Sequence, residues 1–166
     1  MFDTDAQPSQ RIWKGVEMAK TTELAEVERF VRKELEKDYP GHTFTEKKLP
    51  LRRKRDGTYA VHEFDAVSED SSIVASIKSH SWLTSGGNVP SGKIGEIYQS
   101  LYFLSLVDAK TKLLILTDRG TYEGFLRVSD GKVAEDIEIK LCPPPPELQV
   151  VVRKVTQKAS QEMSRG

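Results

Sequence analysis

The chain predicts an α/β fold in which a mixed central β-sheet is flanked by helices, and three observations carry that reading. Two runs rich in Val, Ile and Phe, Val61-His62-Glu63-Phe64-Asp65-Ala66-Val67 and Ile73-Val74-Ala75-Ser76-Ile77-Lys78, are joined by the turn-prone Ser68-Glu69-Asp70-Ser71-Ser72 and predict an antiparallel hairpin. Leu113-Leu114-Ile115-Leu116 is a short continuous apolar run, the pattern of a strand buried on both faces. Between them Ile94, Ile97, Leu101 and Leu104 recur at helical spacing, so a helix separates the hairpin from the buried strand.

Taken in order, residues 1–20 are polar with isolated Ile12 and Trp13, and partial disorder is expected there. From Thr22 onward Leu24, Val27, Phe30, Val31 and Leu35 form a helical stripe, with Thr22 as cap and Tyr39-Pro40-Gly41 as stop. Residues 42–52 read as a strand, and Arg55-Asp56-Gly57-Thr58 is a hairpin signal leading into the strand that carries Asp65. A loop over residues 81–90 follows Lys78, and Ser91 is expected to cap a helix that ends near residue 107. The buried strand covers 112–117, a short helix 120–128, and a strand 136–141, where Ile137, Ile139 and Leu141 alternate with charged residues. Pro143, Pro144, Pro145 and Pro146 cannot enter a ladder and predict a stiff connection. Beyond it Leu148, Val151, Val152 and Val155 have helical spacing, while the Val content leaves a strand open. Residues 21–142 are thus expected to form one α/β domain, with 143–166 its proline-rich connection and last helix.

A length of 166 residues suits one domain with a substantial core. With 25 Lys+Arg against 25 Asp+Glu no global field draws the protein to nucleic acid or membrane, so any electrostatic footprint must be local. Cys142 is the single cysteine, which excludes an intrachain disulfide and fits a reducing cytoplasm. The chain has no apolar run of membrane-spanning length, and Met1-Phe2-Asp3-Thr4-Asp5 lacks the pattern of a secretion signal. The expectation is a cytoplasmic protein with no membrane partner.

The hairpin carries the best candidate for chemistry. Side chains alternate along a strand, so Glu63 and Asp65 share one face, as do Ser76 and Lys78 on the next strand. A four-residue loop would set Asp65 opposite Ser76 and Glu63 opposite Lys78, whereas a two-residue loop at Glu69-Asp70 would set Glu63 opposite Ser76. Either register gathers carboxylates and an ammonium.

With that order of elements, and with Asp65 on one strand and Ser76-Ile77-Lys78 on the next, the chain resembles the PD-(D/E)XK nuclease superfamily over roughly residues 22–142. The resemblance implies a restriction-endonuclease-like αβββαβ core in which Asp65 is the first acid and Lys78 the lysine. Phe64 stands in place of the usual proline, and Ser76 in place of the acid of the acid-x-Lys motif; a hydroxyl is a poorer ligand than a carboxylate for a hard cation. Some members supply the missing carboxylate from the following helix, where Glu96 is the matching residue, and Glu63 is a second substitute. Gln99 and Tyr102 look similar to a Gln and a Tyr of the RecB-like branch, one residue short in spacing. The resemblance further implies Mg²⁺ or Mn²⁺ held by Asp65, Glu96 and the carbonyl of Ile77, with Lys78 meeting developing charge in phosphodiester hydrolysis. The expected partner is nucleic acid, DNA ahead of RNA, with a homodimer required for symmetric cutting of both strands. The competing expectation is an inactive relative that binds nucleic acid or a protein.

Lys47, Lys48, Arg52, Arg53, Lys54 and Arg55 form a basic cluster suited to phosphate contacts; a solvated edge that discourages strand pairing explains the same residues. Gly87-Asn88-Val89-Pro90-Ser91-Gly92-Lys93 has the G-x-x-x-x-G-K spacing of a phosphate loop, yet Ile94 follows where Ser or Thr should stand. Lys93 and the loop glycines are therefore expected at most to touch a nucleic-acid phosphate. His42, His62 and His80 are too scattered for a zinc signature, and Trp82 and Tyr98 suit packing better than base stacking.

Overall fold

The computed structural model describes the backbone of residues 8–83, 86–88 and 91–163, and the side chains of residues 22–83, 86–88 and 91–154. Helix α1 runs Pro8–Asp38, so Thr22 lies within a helix instead of starting one. Pro is tolerated at a helix start because the N–H it lacks has no intrahelical partner there. Arg11, Lys14, Glu17, Met18 and Ala19 are good helix formers that extend a helix cheaply once it is nucleated. Residues 8–20, read from sequence as polar and partly disordered, belong to α1; residues 1–7 lie outside the described residues.

The strands follow as β1 (Phe44–Arg53), β2 (Tyr59–Ser68), β3 (Ile73–Lys78), β4 (Thr111–Leu116) and β5 (Ile137–Leu141). They form one open sheet in the order β1-β2-β3-β4-β5. The pairs β1–β2 and β2–β3 are antiparallel, and β3–β4 and β4–β5 are parallel, which makes the sheet mixed. Each parallel step is made by a helix, α2 (Ser91–Leu106) and then α3 (Arg119–Val128). Helix α4 (Pro146–Met163) closes the chain, so the proline run stops β5 and a helix wins over the strand alternative. Leu113 to Leu116 are buried in a strand with neighbours on both sides, as the continuous apolar run predicts.

Two apolar layers sandwich the sheet. On one side Val31 and Leu35 of α1 pack with Ala66, Ala75, Ile77 and Ile115, and α4 packs against α1. On the other, Ile97 and Leu104 of α2 and Phe125 of α3 pack with Phe64, Val67 and Leu114. No described helix is long and apolar enough to cross a membrane.

Two local features of β2 position the candidate site. The β2–β3 turn takes the four-residue form, because Asp70 accepts from Ser72 N (3.0 Å), Ser72 Oγ (2.7 Å) and Ser68 Oγ (2.8 Å). These bonds hold the Asp70 carboxyl below the usual carboxylate range. The resulting register pairs Val67 with Val74 and Ala66 with Ala75, as a four-residue turn requires. The second feature is a bulge: Thr45 pairs with Val67 but Lys47 with Phe64, so Asp65 and Ala66 together oppose Glu46 alone. Phe64 and Val67, three residues apart, consequently share one apolar layer while Ala66 joins the other. Strict alternation, assumed in the sequence reading, fails at Asp65.

Candidate active site

At the bulge Asp65 leaves the regular pleat and enters the seam between strands. Continued pairing would bring Ile77 N–H against Phe64, but that N–H donates instead to Asp65 Oδ2 at 2.7 Å. The carboxylate thereby ends the β2–β3 ladder and keeps a second oxygen outside that bond. Its main-chain carbonyl accepts from Arg32 Nε of α1 at 2.7 Å. Arg32 Nη2 in turn lies 3.3 Å from Glu28 Oε2 and 3.8 Å from Glu46 Oε2. Helix α1 is thus pinned to the bulge by one guanidinium.

This arrangement brings Glu28 to Asp65, an acid the sequence reading did not single out. Burial and then the charge of Asp65 push the Glu28 carboxyl up to about 7, against the pull of Arg32 and, more weakly, Lys78. Asp65 is itself shifted upward by burial, opposed by the Ile77 N–H, Lys78, Arg32 and His62. Two partly buried carboxylates brought together offer oxygen donors of the kind hard cations take.

The other predicted site residues are placed less uniformly. Ser76 is buried at 3% exposure and Ile77 is buried beside it, while Glu63 is exposed on β2. Glu96, expected to complete the Asp65 site from α2, instead bonds His80 Nε2 at 2.8 Å. His80 lies two residues beyond Lys78, and its carbonyl accepts from Thr121 Oγ1 of α3. Burial lowers its affinity for a proton, Glu96 restores part of it, and Lys78 and Lys93 oppose that restoration. The charge of Lys78, at the end of β3, acts on Glu28 and Asp65 and also on His80.

The basic cluster lies on edge strand β1 and its turn. Lys47 Nζ donates to Ser71 Oγ at 2.9 Å and Arg53 Nε to the carbonyl of Gly57 at 3.2 Å. Lys48, Arg52, Lys54 and Arg55 are exposed. Since Lys47 pairs with Phe64 and Arg53 with Tyr59, the basic residues run from beside the bulge outward along the hairpin. In the phosphate-loop-like segment Val89 and Pro90 lie outside the described residues, and residues 79–83 separate β3 from it. His62 stacks on Phe103 at 3.9 Å between ring centroids, which gives it a packing role.

His42, Glu69 and Asp70 place donor atoms within 4.8 Å of one another. Their oxygens are occupied: Glu69 Oε2 accepts from Thr43 N at 3.0 Å, and Asp70 holds the turn. This cluster secures the register of the hairpin.

Glu28 gives the site a pH signature. Its ordinary value is 4.5 and its folded value about 7, so the folded state binds the proton more tightly than the unfolded chain. The corresponding stabilisation is fully present below the unfolded value and is lost as pH rises through the folded one. Without divalent metal, Glu28→Gln is expected to gain stability over the wild type progressively from pH 5 to pH 8. Urea unfolding at several pH values checks this, and a constant difference between the two proteins would refute it.

Compared with protein-family models, with curated proteins and with solved structures, the chain has no match in any of the three.

Proposed function

We propose that the protein is a metal-dependent hydrolase of nucleic-acid phosphodiesters, of the PD-(D/E)XK kind. The observation that carries the reading is that Arg32 of α1 bonds both the Asp65 carbonyl and the Glu28 carboxylate, which brings two partly buried acids together from α1 and β2. Glu28 and Asp65 would hold the cation, which supplies Lewis acidity toward the phosphoryl oxygen and an acidified water. Lys78 offers a fixed positive charge where negative charge develops, and does so without competing for the cation's coordination positions. Arg32 holds α1 against the bulge and so keeps Glu28 in range. The basic residues of the β1–β2 hairpin supply backbone contacts to the strand, DNA ahead of RNA, without reading its sequence.

A second reading, a non-catalytic module that binds nucleic acid or a protein on the same fold, is favoured by Ser76 where the motif has an acid and by Glu96 turned to His80. Cleavage assays separate the two. Single- and double-stranded DNA and RNA are incubated with protein and Mn²⁺ or Mg²⁺, with chelator as control. Metal-dependent products support the hydrolase; binding with no products on any substrate supports the module.

The hairpin has its own test. Replacing Arg52, Arg53, Lys54 and Arg55 by Ala is expected to weaken binding to all sequences alike and to reduce the slope of log K against log salt, because released counterions track phosphate contacts. An unchanged slope would remove the hairpin from the interface.

A further inference from the structure

A cavity of about 310 Å³ opens at the carboxyl ends of the parallel strands. Its walls come from the segment after β3 (Ser79 and Ser81), the β4–α3 junction (Thr117 to Arg119) and α4 (Gln149 and Arg153). In open α/β sheets ligands are commonly held outside the carboxyl ends of the strands.

Side-chain locks hold the walls. Thr117 N donates to the carbonyl of Lys78 at 3.1 Å, which ties the start of one wall to the candidate active site. Thr121 Oγ1 bonds the carbonyl of His80, so the β3 loop is fastened to α3. Gln149 Nε2 donates to the carbonyl of Pro144 at 2.7 Å, which fixes α4 on the proline connection.

The lining chemistry points to an anion. Arg119, Arg153, Ser79 and Ser81 line a cavity whose one acidic lining residue is Asp118. Asp118 Oδ2 is already engaged, accepting from Thr121 N at 2.8 Å and Thr121 Oγ1 at 3.0 Å as the cap of α3. Arg119 meets Glu123 only at 3.9 Å and remains 70% exposed, so its planar donors are available for bidentate contact. The volume exceeds what a bare phosphate fills and is at the small end of ligand clefts, enough for a phosphate with its sugar.

We propose that this cavity is a phosphate-binding pocket in which Arg119 and Arg153 grip a phosphate monoester, with Ser79 and Ser81 as further donors. The phosphate comes either from a free nucleotide or, on the hydrolase reading above, from the end of the substrate strand, since Ser79 of the pocket directly follows Lys78 in the chain. The pocket itself does not depend on that reading.

Calorimetric titration in chelator with a deoxynucleoside 5′-monophosphate, and with the matching nucleoside, tests it. The monophosphate is expected to saturate and the nucleoside not to bind. Arg119→Ala/Arg153→Ala should weaken the monophosphate by about tenfold or more, since charge-assisted bonds are lost. Circular dichroism should confirm that the double-arginine variant is folded. Absence of saturable binding to the folded wild type, or equal binding by the folded double-arginine variant, would overturn the pocket. A 5′-phosphorylated oligonucleotide that displaces the monophosphate, where its 5′-hydroxyl twin does not, identifies the strand end as the source. Displacement by neither identifies the free nucleotide. Arginine-dependent binding without cleavage of any substrate upholds the pocket and defeats the hydrolase; cleavage without arginine-dependent phosphate binding does the reverse.

Discussion

Asp65→Asn is expected to reduce metal-dependent cleavage to background while leaving the fold intact, and Lys78→Ala to lower kcat by about 10²–10³-fold with Mn²⁺ binding retained. Asparagine is the informative substitution because Asp65 has two roles. Its Oδ2 satisfies the N–H of buried Ile77 at the end of the β2–β3 ladder, and an amide oxygen can accept that bond while surrendering the charge a cation needs. Asp65→Ala would also orphan the N–H, at a cost of about 1–3 kcal/mol, and so mix folding with catalysis. On the proposed reading Lys78 would contribute charge to the transition state and oppose a nearby cation, so its removal should leave metal affinity equal or higher. Glu28→Gln should resemble Asp65→Asn, whereas Glu96→Gln should resemble it only if Glu96 leaves His80 for the cation. Equal cleavage by wild type and Asp65→Asn would remove the β2 bulge from the chemistry.

Gly124→Ala is expected to destabilise the protein by about 1–3 kcal/mol, a large effect for one methyl group. A Cβ at this position of α3 would overlap the Trp82 ring at Cε2 and lie 2.6 Å from Nε1. The obstacle is the fused ring of a side chain packed against the α2–α3 core, so relief requires the whole indole to move. Trp82 belongs to the segment that also carries Ser79, His80 and Ser81, and its displacement should disturb both the His80–Glu96 pair and the phosphate pocket. Urea unfolding of Gly124→Ala, Trp82→Ala and the double variant forms a cycle with strong favourable coupling, because the second substitution removes the clash created by the first. Additive effects would show that α3 and the indole are not in contact.

The elements most legible in the sequence are those whose burial follows a simple period. Leu113 to Leu116 announce a central strand because burial on both faces removes alternation, and Ile97, Leu101 and Leu104 announce α2 because one face alone is buried. The start of α1 was less legible: helical residues before Thr22 present no regular apolar stripe, and extension of an existing helix needs none. For the site, Asp65 and Lys78 were visible because both stand on strands that the pattern located. Glu28 was not, although its position four residues before Arg32 and beside the Val27/Val31 stripe was a usable signal. Nothing in the order of residues says that this face of α1 lies over a bulge in β2.

By itself the sequence determined the α/β class, the antiparallel hairpin joined to a buried parallel strand, the locally basic edge on a neutral chain, and the presence of Asp65 and Lys78 on neighbouring strands. These follow from local propensity and from the periodicity of burial, which act over a few residues. Only the tertiary structure decided that Asp65 turns into the β2–β3 seam, that Glu28 joins it, that Glu96 is taken by His80, and that two arginines distant in sequence flank one cavity. Each of those outcomes depends on which elements pack together and on a one-residue bulge that shifts the phase of a strand. Carboxylate affinities for protons and cations respond to such placements at the scale of a few ångströms, a scale that spacing along the chain does not encode.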